Sequence, residues 1–213
     1  MNETTPTSPD VMTTDETGVS DQVVESKNKP ELKPLREPAV LTLPDWKGAS
    51  ASHWLTQWEH QHGLQRVTQH DWQRPLRGDW MMQLQETVLR HEHVHLLAHG
   101  LGAHLIDAWL RHTQQSKRVS SVVLIDPVDL NEPEHQEVLF SWKAFGPQAW
   151  PMPLAVLWKE RQPSVELARL LTQWGAQTLA DAPVGGGVVG GWSLVHEYWT
   201  RMEAQKTATP QEA

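Results

Sequence analysis

The sequence predicts an α/β chain, a three-layer sandwich whose mainly parallel sheet carries helices on both faces. Three observations predict it. From Ala39 onward, short apolar runs alternate with stretches of helical periodicity. One run, Val119-Ser-Ser-Val-Val-Leu-Ile125, carries no charge and is apolar at five of seven positions, the pattern of a buried strand covered on each face by helices. Finally, Leu96-Leu-Ala-His-Gly-Leu-Gly-Ala103 reads as strand, tight turn and helix in immediate succession.

Taken in order, residues 1–38 read as a disordered acidic tail. They hold no aromatic residue, and eight acids (Glu3, Asp10, Asp15, Glu16, Asp21, Glu25, Glu31 and Glu37) face four bases (Lys27, Lys29, Lys33 and Arg36). Such a segment buries too little apolar surface to offset its ordering entropy. The domain follows over residues 39–204, and residues 205–213 read as a second tail. Ala39–Leu43 is strand-like and closes on Pro44, Trp54, Leu55 and Trp58 recur at helical spacing, and Arg66–Gln69 forms a short second strand. Asp79 suits the N-cap of a helix carrying Trp80, Met81, Leu84 and Val88 on one face. His95–Ala98 is the next strand, and a helix follows through Leu105, Ile106, Trp109 and Leu110. After the Val119–Ile125 strand come a strand over Pro153–Trp158, a helix with Val165, Leu167, Leu170, Leu171 and Trp174, a short strand over Ala176–Leu179, and a closing helix over Trp192–Met202. Strands alternating with helices imply right-handed crossovers between parallel strands.

At 213 residues the chain holds one domain and a tail, enough for a sizeable core. A formal net charge of -8 argues against nucleic acid as a partner, because phosphate binding needs a basic patch. There is no cysteine, which excludes disulfides, thiolate metal sites and cysteine nucleophiles and fits a reducing compartment. No apolar run approaches the roughly 20 residues of a membrane span, and the N-terminus lacks the regions of a signal peptide. A cytoplasmic protein without membrane contact is expected. With 12 Trp against 2 Phe and 1 Tyr, tryptophan takes over the aromatic duty of the core, and some rings are expected to line a cavity or contact surface.

The strand-turn-helix centred on Gly100 has the spacing of a nucleophile elbow, G-x-S-x-G, whose small flanking residues tighten the turn. The five positions are Ala98, His99, Gly100, Leu101 and Gly102, so the scaffold is present and glycine stands where serine is needed. With these residues in view, the chain resembles the small α/β-hydrolase family of YdeN and the retinoblastoma-binding-protein-type serine hydrolases. That family opens with P-G-W-x-G-S-x-x-x-H-W, matched here by Pro44-Asp45-Trp46-Lys47-Gly48-Ala49-Ser50-Ala51-Ser52-His53-Trp54. W-E follows at Trp58-Glu59, D-W-x-x-P at Asp71-Trp72-Gln73-Arg74-Pro75, a further D-W at Asp79-Trp80, then the elbow, and W-G at Trp174-Gly175. The match runs in order from about Ala39 to Trp199.

The resemblance implies an α/β-hydrolase-like fold and a Ser-Asp-His triad. The triad does not transfer residue by residue. The serine position is Gly100, the acid position falls at Lys159 with Glu160 as the nearest substitute, and the histidine loop, Asp181-Ala-Pro-Val-Gly-Gly-Gly187, puts Val184 or a neighbour where histidine belongs. Without nucleophile and base there is no acyl-enzyme and nothing to activate water. The leading expectation is therefore a pseudoenzyme acting as a binding or regulatory module, for a protein partner or a small apolar ligand. Its pocket would be floored by Gly100 and Leu101 and rimmed by Trp46, Ser50, His99, Asp126, Lys159, Glu160 and Val184. The alternative is an esterase using displaced groups, such as Glu160 or His99 with a bound water. A purely structural subunit is a third reading, which an exposed Trp-rich patch would betray.

Other signals are weaker. His91, His93 and His95 alternate, so a strand would place them on one face, but no carboxylate is placed in sequence to complete a metal site. No cofactor is implied. His99 is structural in the family. Asp126 and Asp129 follow a strand at the carboxyl edge where α/β sheets bind ligands, although capping serves as well. Gly185–Gly191 lacks the Lys and Ser/Thr of a phosphate loop and reads as a loop replacing the histidine loop. Ser52 is expected to cap the first helix.

Overall fold

A computed structural model describes residues 37–132, 135, 137–160, 162–179 and 188–208. The tail reading of residues 1–36, the site reading of Val184 and the Gly185–Gly187 part of the glycine stretch lie outside them.

Six strands form one all-parallel sheet: β1 (Ala39–Leu43), β2 (Gln65–Arg66), β3 (Val94–His99), β4 (Val119–Ile125), β5 (Leu154–Leu157) and β6 (Gln177–Thr178), in the order β2-β1-β3-β4-β5-β6. The helices are α1 (Trp54–His62), α2 (Arg77–Leu89), α3 (Leu101–Leu110), α4 (Val165–Gln173) and α5 (Val188–Ala208). The period-2 alternation of the strands divides the core in two. Leu96, Ala98, Val122, Leu124, Leu154 and Val156 face one layer with residues of α2, α3 and α4, including Leu84, Leu105 and Leu171. Leu97, Val123, Ile125, Ala155 and Leu157 face the other layer with Trp54, Leu55 and Trp58 of α1 and Val195, Tyr198 and Trp199 of α5. This is the expected α/β-hydrolase-like three-layer arrangement.

The central strands match their sequence bounds closely because both faces are buried: all seven residues of β4 are buried. The edges are shorter. The run expected at Arg66–Gln69 pairs only over Gln65–Arg66, and β6 keeps two exposed residues of the expected four. Two expected caps are corrected. The cap of α1 is His53, whose Nδ1 accepts from Leu55 N at 3.1 Å, while Ser52 is exposed and lies within 3.2 Å of the Ser50 hydroxyl. Asp79 lies within the first turn of α2, which is preceded by Leu76, and its charge favours the helix N-terminus there. The closing helix continues to Ala208, four residues into the stretch read as the C-terminal tail.

Trp54, Trp58, Trp80, Trp109, Trp142, Trp150, Trp174 and Trp199 are buried, and Trp46, Trp72, Trp158 and Trp192 are half-buried. Tryptophan thus fills both core layers, and no exposed tryptophan patch exists among the described residues. No helix among them is long and apolar enough to cross a membrane.

A polar tie fixes the β1–α1–β2 corner. Glu59, in the W-E pair of the motif, accepts from the Thr42 hydroxyl and from Arg66 through Nε (3.0 Å) and Nη2 (2.6 Å). Its side chain is 9% exposed, so Glu59→Ala strips a charged partner from Arg66 in a partly dehydrated place. Urea unfolding is expected to show a loss of about 2 kcal/mol. An unchanged midpoint would mean that the tie is dispensable.

Candidate functional site

Strand register sets the site. Leu43 pairs with Ala98, His99 with Ile125, and Ile125 with Leu157. Continued past the strand ends, that register places Asp45, Gly100, Asp126 and Trp158 in one row along the carboxyl edge of the sheet. This edge is where open parallel sheets bind ligands, because helix N-termini and strand-end loops converge there.

Gly100 makes the turn from β3 into α3 at φ 56°, ψ -117°, and its N donates to Ile125 O at 3.1 Å. Such backbone costs a side-chain-bearing residue about 1–3 kcal/mol, and glycine adopts it without that cost. At Gly102 the constraint is spatial, since a Cβ there would run into the Leu43 carbonyl. These are the tight turn and close approach that the elbow spacing predicts.

The floor of the expected pocket is filled. The Asp45 carboxylate lies directly over Gly100, where a Cβ at position 100 would overlap its Cγ, Oδ1 and Oδ2. Asp45 Oδ1 accepts from Leu101 N at 2.7 Å and from Trp46 N at 2.8 Å, and the residue is 8% exposed. In an elbow enzyme the amide after the nucleophile is an oxyanion donor. Here that amide already serves a carboxylate.

The other candidates surround this contact to different degrees. Trp46 follows Asp45, and the Lys47 ammonium lies 4.1 Å from its ring. His99 is buried, with its ring 5.3 Å from His53 and 5.1 Å edge-on from Trp54. The Lys159 ammonium sits 5.5 Å from the Trp54 ring and 4.0 Å from the exposed Glu160 carboxylate. Asp126 is fully buried at φ 45°, and its two oxygens accept from Lys159 N (2.8 Å) and Glu160 N (2.9 Å). Asp126 therefore anchors the loop after β5 instead of standing at the pocket rim. Asp129 bonds the hydroxyl of Ser164, the cap of α4, and the amide of Asn131. Ser50 is exposed, its hydroxyl 3.2 Å from that of Ser52 and its carbonyl accepting from His53 N at 3.0 Å.

His91 and His93 precede β3 and do not share its face with His95. His91 bonds Gln65, whereas His95 is buried between the Ser121 hydroxyl (2.8 Å) and the Glu203 carboxylate (3.2 Å). No group of three metal-ligating side chains converges among the described residues.

Sequence reading missed two members of the site. Asp45 stands where the resembled motif has glycine, and that departure was its only signal. His53 was visible only as a motif letter. Burial lowers its pKa from the ordinary histidine value, against the opposing influence of Glu160, so at neutral pH the ring is uncharged beside Asp45, Glu160 and Lys159.

Comparisons with known proteins agree with this architecture. A YdeN-like hydrolase from Pectobacterium atrosepticum is similar in structure, with a TM-score of 0.60 at 17% identity over 77% of this chain and 91% of that one. The ydeN gene product of B. subtilis is similar with a TM-score of 0.58 at 21% identity over 78% of this chain and 99% of that one. Among curated proteins none matches. The sequence model of the serine hydrolase family matches residues 40–186. On that match, and with the elbow turn in place between β3 and α3, the chain belongs to the serine hydrolase family.

Proposed function

We propose that this chain is a non-catalytic member of the serine hydrolase family, retained as a binding or regulatory module. One observation carries the reading: Gly100 offers no nucleophile, and the Leu101 amide that would stabilise an oxyanion is bound to the chain's own Asp45. Acyl transfer needs an attacking oxygen and a free donor for the charge that develops. At this elbow the first is absent and the second is occupied. Lys159 and Val184 at the acid and histidine positions extend the same reading.

A fixed carboxylate at the floor also repels an incoming carboxylate, ester oxyanion or phosphonate. That disfavours small anionic ligands, and the net charge of -8 disfavours nucleic acid; the partner in this reading is a protein surface or a small apolar ligand. The net charge of -8 and the lack of cysteine support a cytoplasmic setting.

The test is turnover of short p-nitrophenyl esters, with labelling by a fluorophosphonate probe alongside. No rate above a Val184→Ala control and no label are expected. Turnover abolished by Glu160→Gln or His99→Gln would establish instead an esterase rebuilt on displaced groups.

A further inference from the structure

A groove runs between α2 and the turn that follows α3, and none of the elbow residues lines it. Its volume is about 450 Å³, within the roughly 300–1,000 Å³ of small-molecule sites. Met81 and Met82 of α2 and Trp109 of α3 give it an apolar wall, and Met82 remains 62% exposed. Unbranched methionine side chains adapt to the shape of what enters. Gly78 lines the groove in the first turn of α2, where a Cβ would meet nothing within 4 Å.

One polar group of the lining, Gln85, is held in a single orientation. Its Oε1 accepts from Trp109 Nε1 at 2.6 Å and from the Thr113 hydroxyl at 3.0 Å. Because an indole N–H only donates, the amide atom facing it is the oxygen. Thr113 is itself fixed, its Oγ1 accepting from Gln115 N at 3.0 Å and its N donating to Trp109 O at 2.9 Å. Turning the carboxamide over would break both bonds to Oε1. Nε2 is left with two N–H donors and no partner among the described residues, on a side chain that lines the groove. The described lining holds one carboxylate, Glu86, and no lysine or arginine.

We propose that the α2–α3 groove is a binding site for a neutral aryl carbonyl compound, a ketone or an amide, whose oxygen accepts from Gln85 Nε2. The aromatic body lies on the Met81, Met82 and Trp109 wall. Glu86 disfavours a carboxylate, and a pure hydrocarbon leaves the Gln85 donors without an acceptor. The site goes beyond the non-catalytic reading of the elbow and does not depend on it.

The probe is methyl naphthyl ketone, compared with ethylnaphthalene, which has nearly the same shape without the oxygen. Each is titrated into the full chain while the methionine methyl and Gln85 side-chain amide resonances are followed by NMR. Saturable shifts of Met81, Met82 and the Gln85 amide are expected. The ketone should bind about five- to tenfold more tightly than the hydrocarbon, the ratio that one hydrogen bond of ordinary strength gives. Gln85→Glu keeps an oxygen for Trp109 and Thr113 but replaces the donors with a second acceptor. It is expected to abolish the preference and to leave hydrocarbon binding within about twofold. Gly78→Leu fills the groove from a position with free space around its Cβ, and the helix gains from losing a glycine. It should weaken both probes about tenfold or more. If Gln85→Glu does not fold, the ratio in the intact chain and the Gly78→Leu result decide alone. Equal binding of the two probes, a preference that survives Gln85→Glu, or binding unaffected by Gly78→Leu overturns the proposal. So does an intact chain without saturable shifts at Met81 and Met82. Groove resonances that move with protein concentration in the absence of probe would show a second copy seated there, which also overturns it. Ester turnover would count against the non-catalytic reading and leave the groove untouched, so the two fail separately.

Discussion

Gly100→Ser is expected to lower the melting temperature by roughly 10 °C and to yield no esterase. Two costs add. The side chain meets a backbone held at φ 56°, ψ -117°, a strain of about 1–3 kcal/mol. Its Cβ also overlaps the Asp45 carboxyl group, and overpacking of a buried site costs a further 1–3 kcal/mol or so. For a domain of this size each kilocalorie lowers the midpoint by about 2–4 °C. The double variant Asp45→Gly, Gly100→Ser gives the sharper result. Asp45→Gly alone is destabilising, yet added to Gly100→Ser it is expected to raise the midpoint, because it removes the overlap and leaves only the strain. That reversal of sign is the mark of two side chains contesting one volume. Additive effects would show that they do not share it, and a stable, ester-cleaving Gly100→Ser protein would refute the non-catalytic reading.

Acid is expected to destabilise the protein steeply from about pH 6.5 downward, before the ordinary carboxylates begin to titrate. Burial lowers the pKa of His95 to about 4 despite the nearby Glu203 carboxylate, and burial likewise lowers that of His104 to about 4. His95 faces Ser121 of β4, the Trp199 ring and Glu203 of α5, with Lys206 also in electrostatic range. His104 lies 2.8 Å from the Val128 carbonyl through Nε2 and stacks on Phe145. Both rings are neutral in the fold, whereas in the unfolded chain they take up protons near pH 6.5. The unfolded state therefore binds more protons between pH 6.5 and 4. Stability is fully present above pH 6.5 and declines as pH falls through that window. Each ring accounts for about 3 kcal/mol by pH 4, large beside the 5–15 kcal/mol or so that hold a typical domain. Urea midpoints measured from pH 7.5 to 4.5 should fall steeply, and His104→Gln should flatten the slope by about half. A midpoint constant across that range would mean that the rings are protonated in the fold.

By itself the sequence determined the sandwich, the order of its elements and the elbow. These are legible because they are local. β1 and β4 are runs whose burial forces an apolar pattern, and the turn from His99 to Leu101 needs small residues wherever it occurs. That position 100 carries no nucleophile side chain is plain from the residue type, but what stands over it is not. Edge strands and caps were less legible, since two-residue strands carry little hydrophobic pattern and both His53 and Ser52 can accept from a helix amide. Only the tertiary structure decided what lies over Gly100. The pairing of Leu43 with Ala98 brings Asp45 level with Gly100 and directs a carboxylate onto the Leu101 amide. Sequence states which residues differ from a motif. That two of those differences exclude each other from one volume is a fact of distance, fixed only when the sheet sets its register.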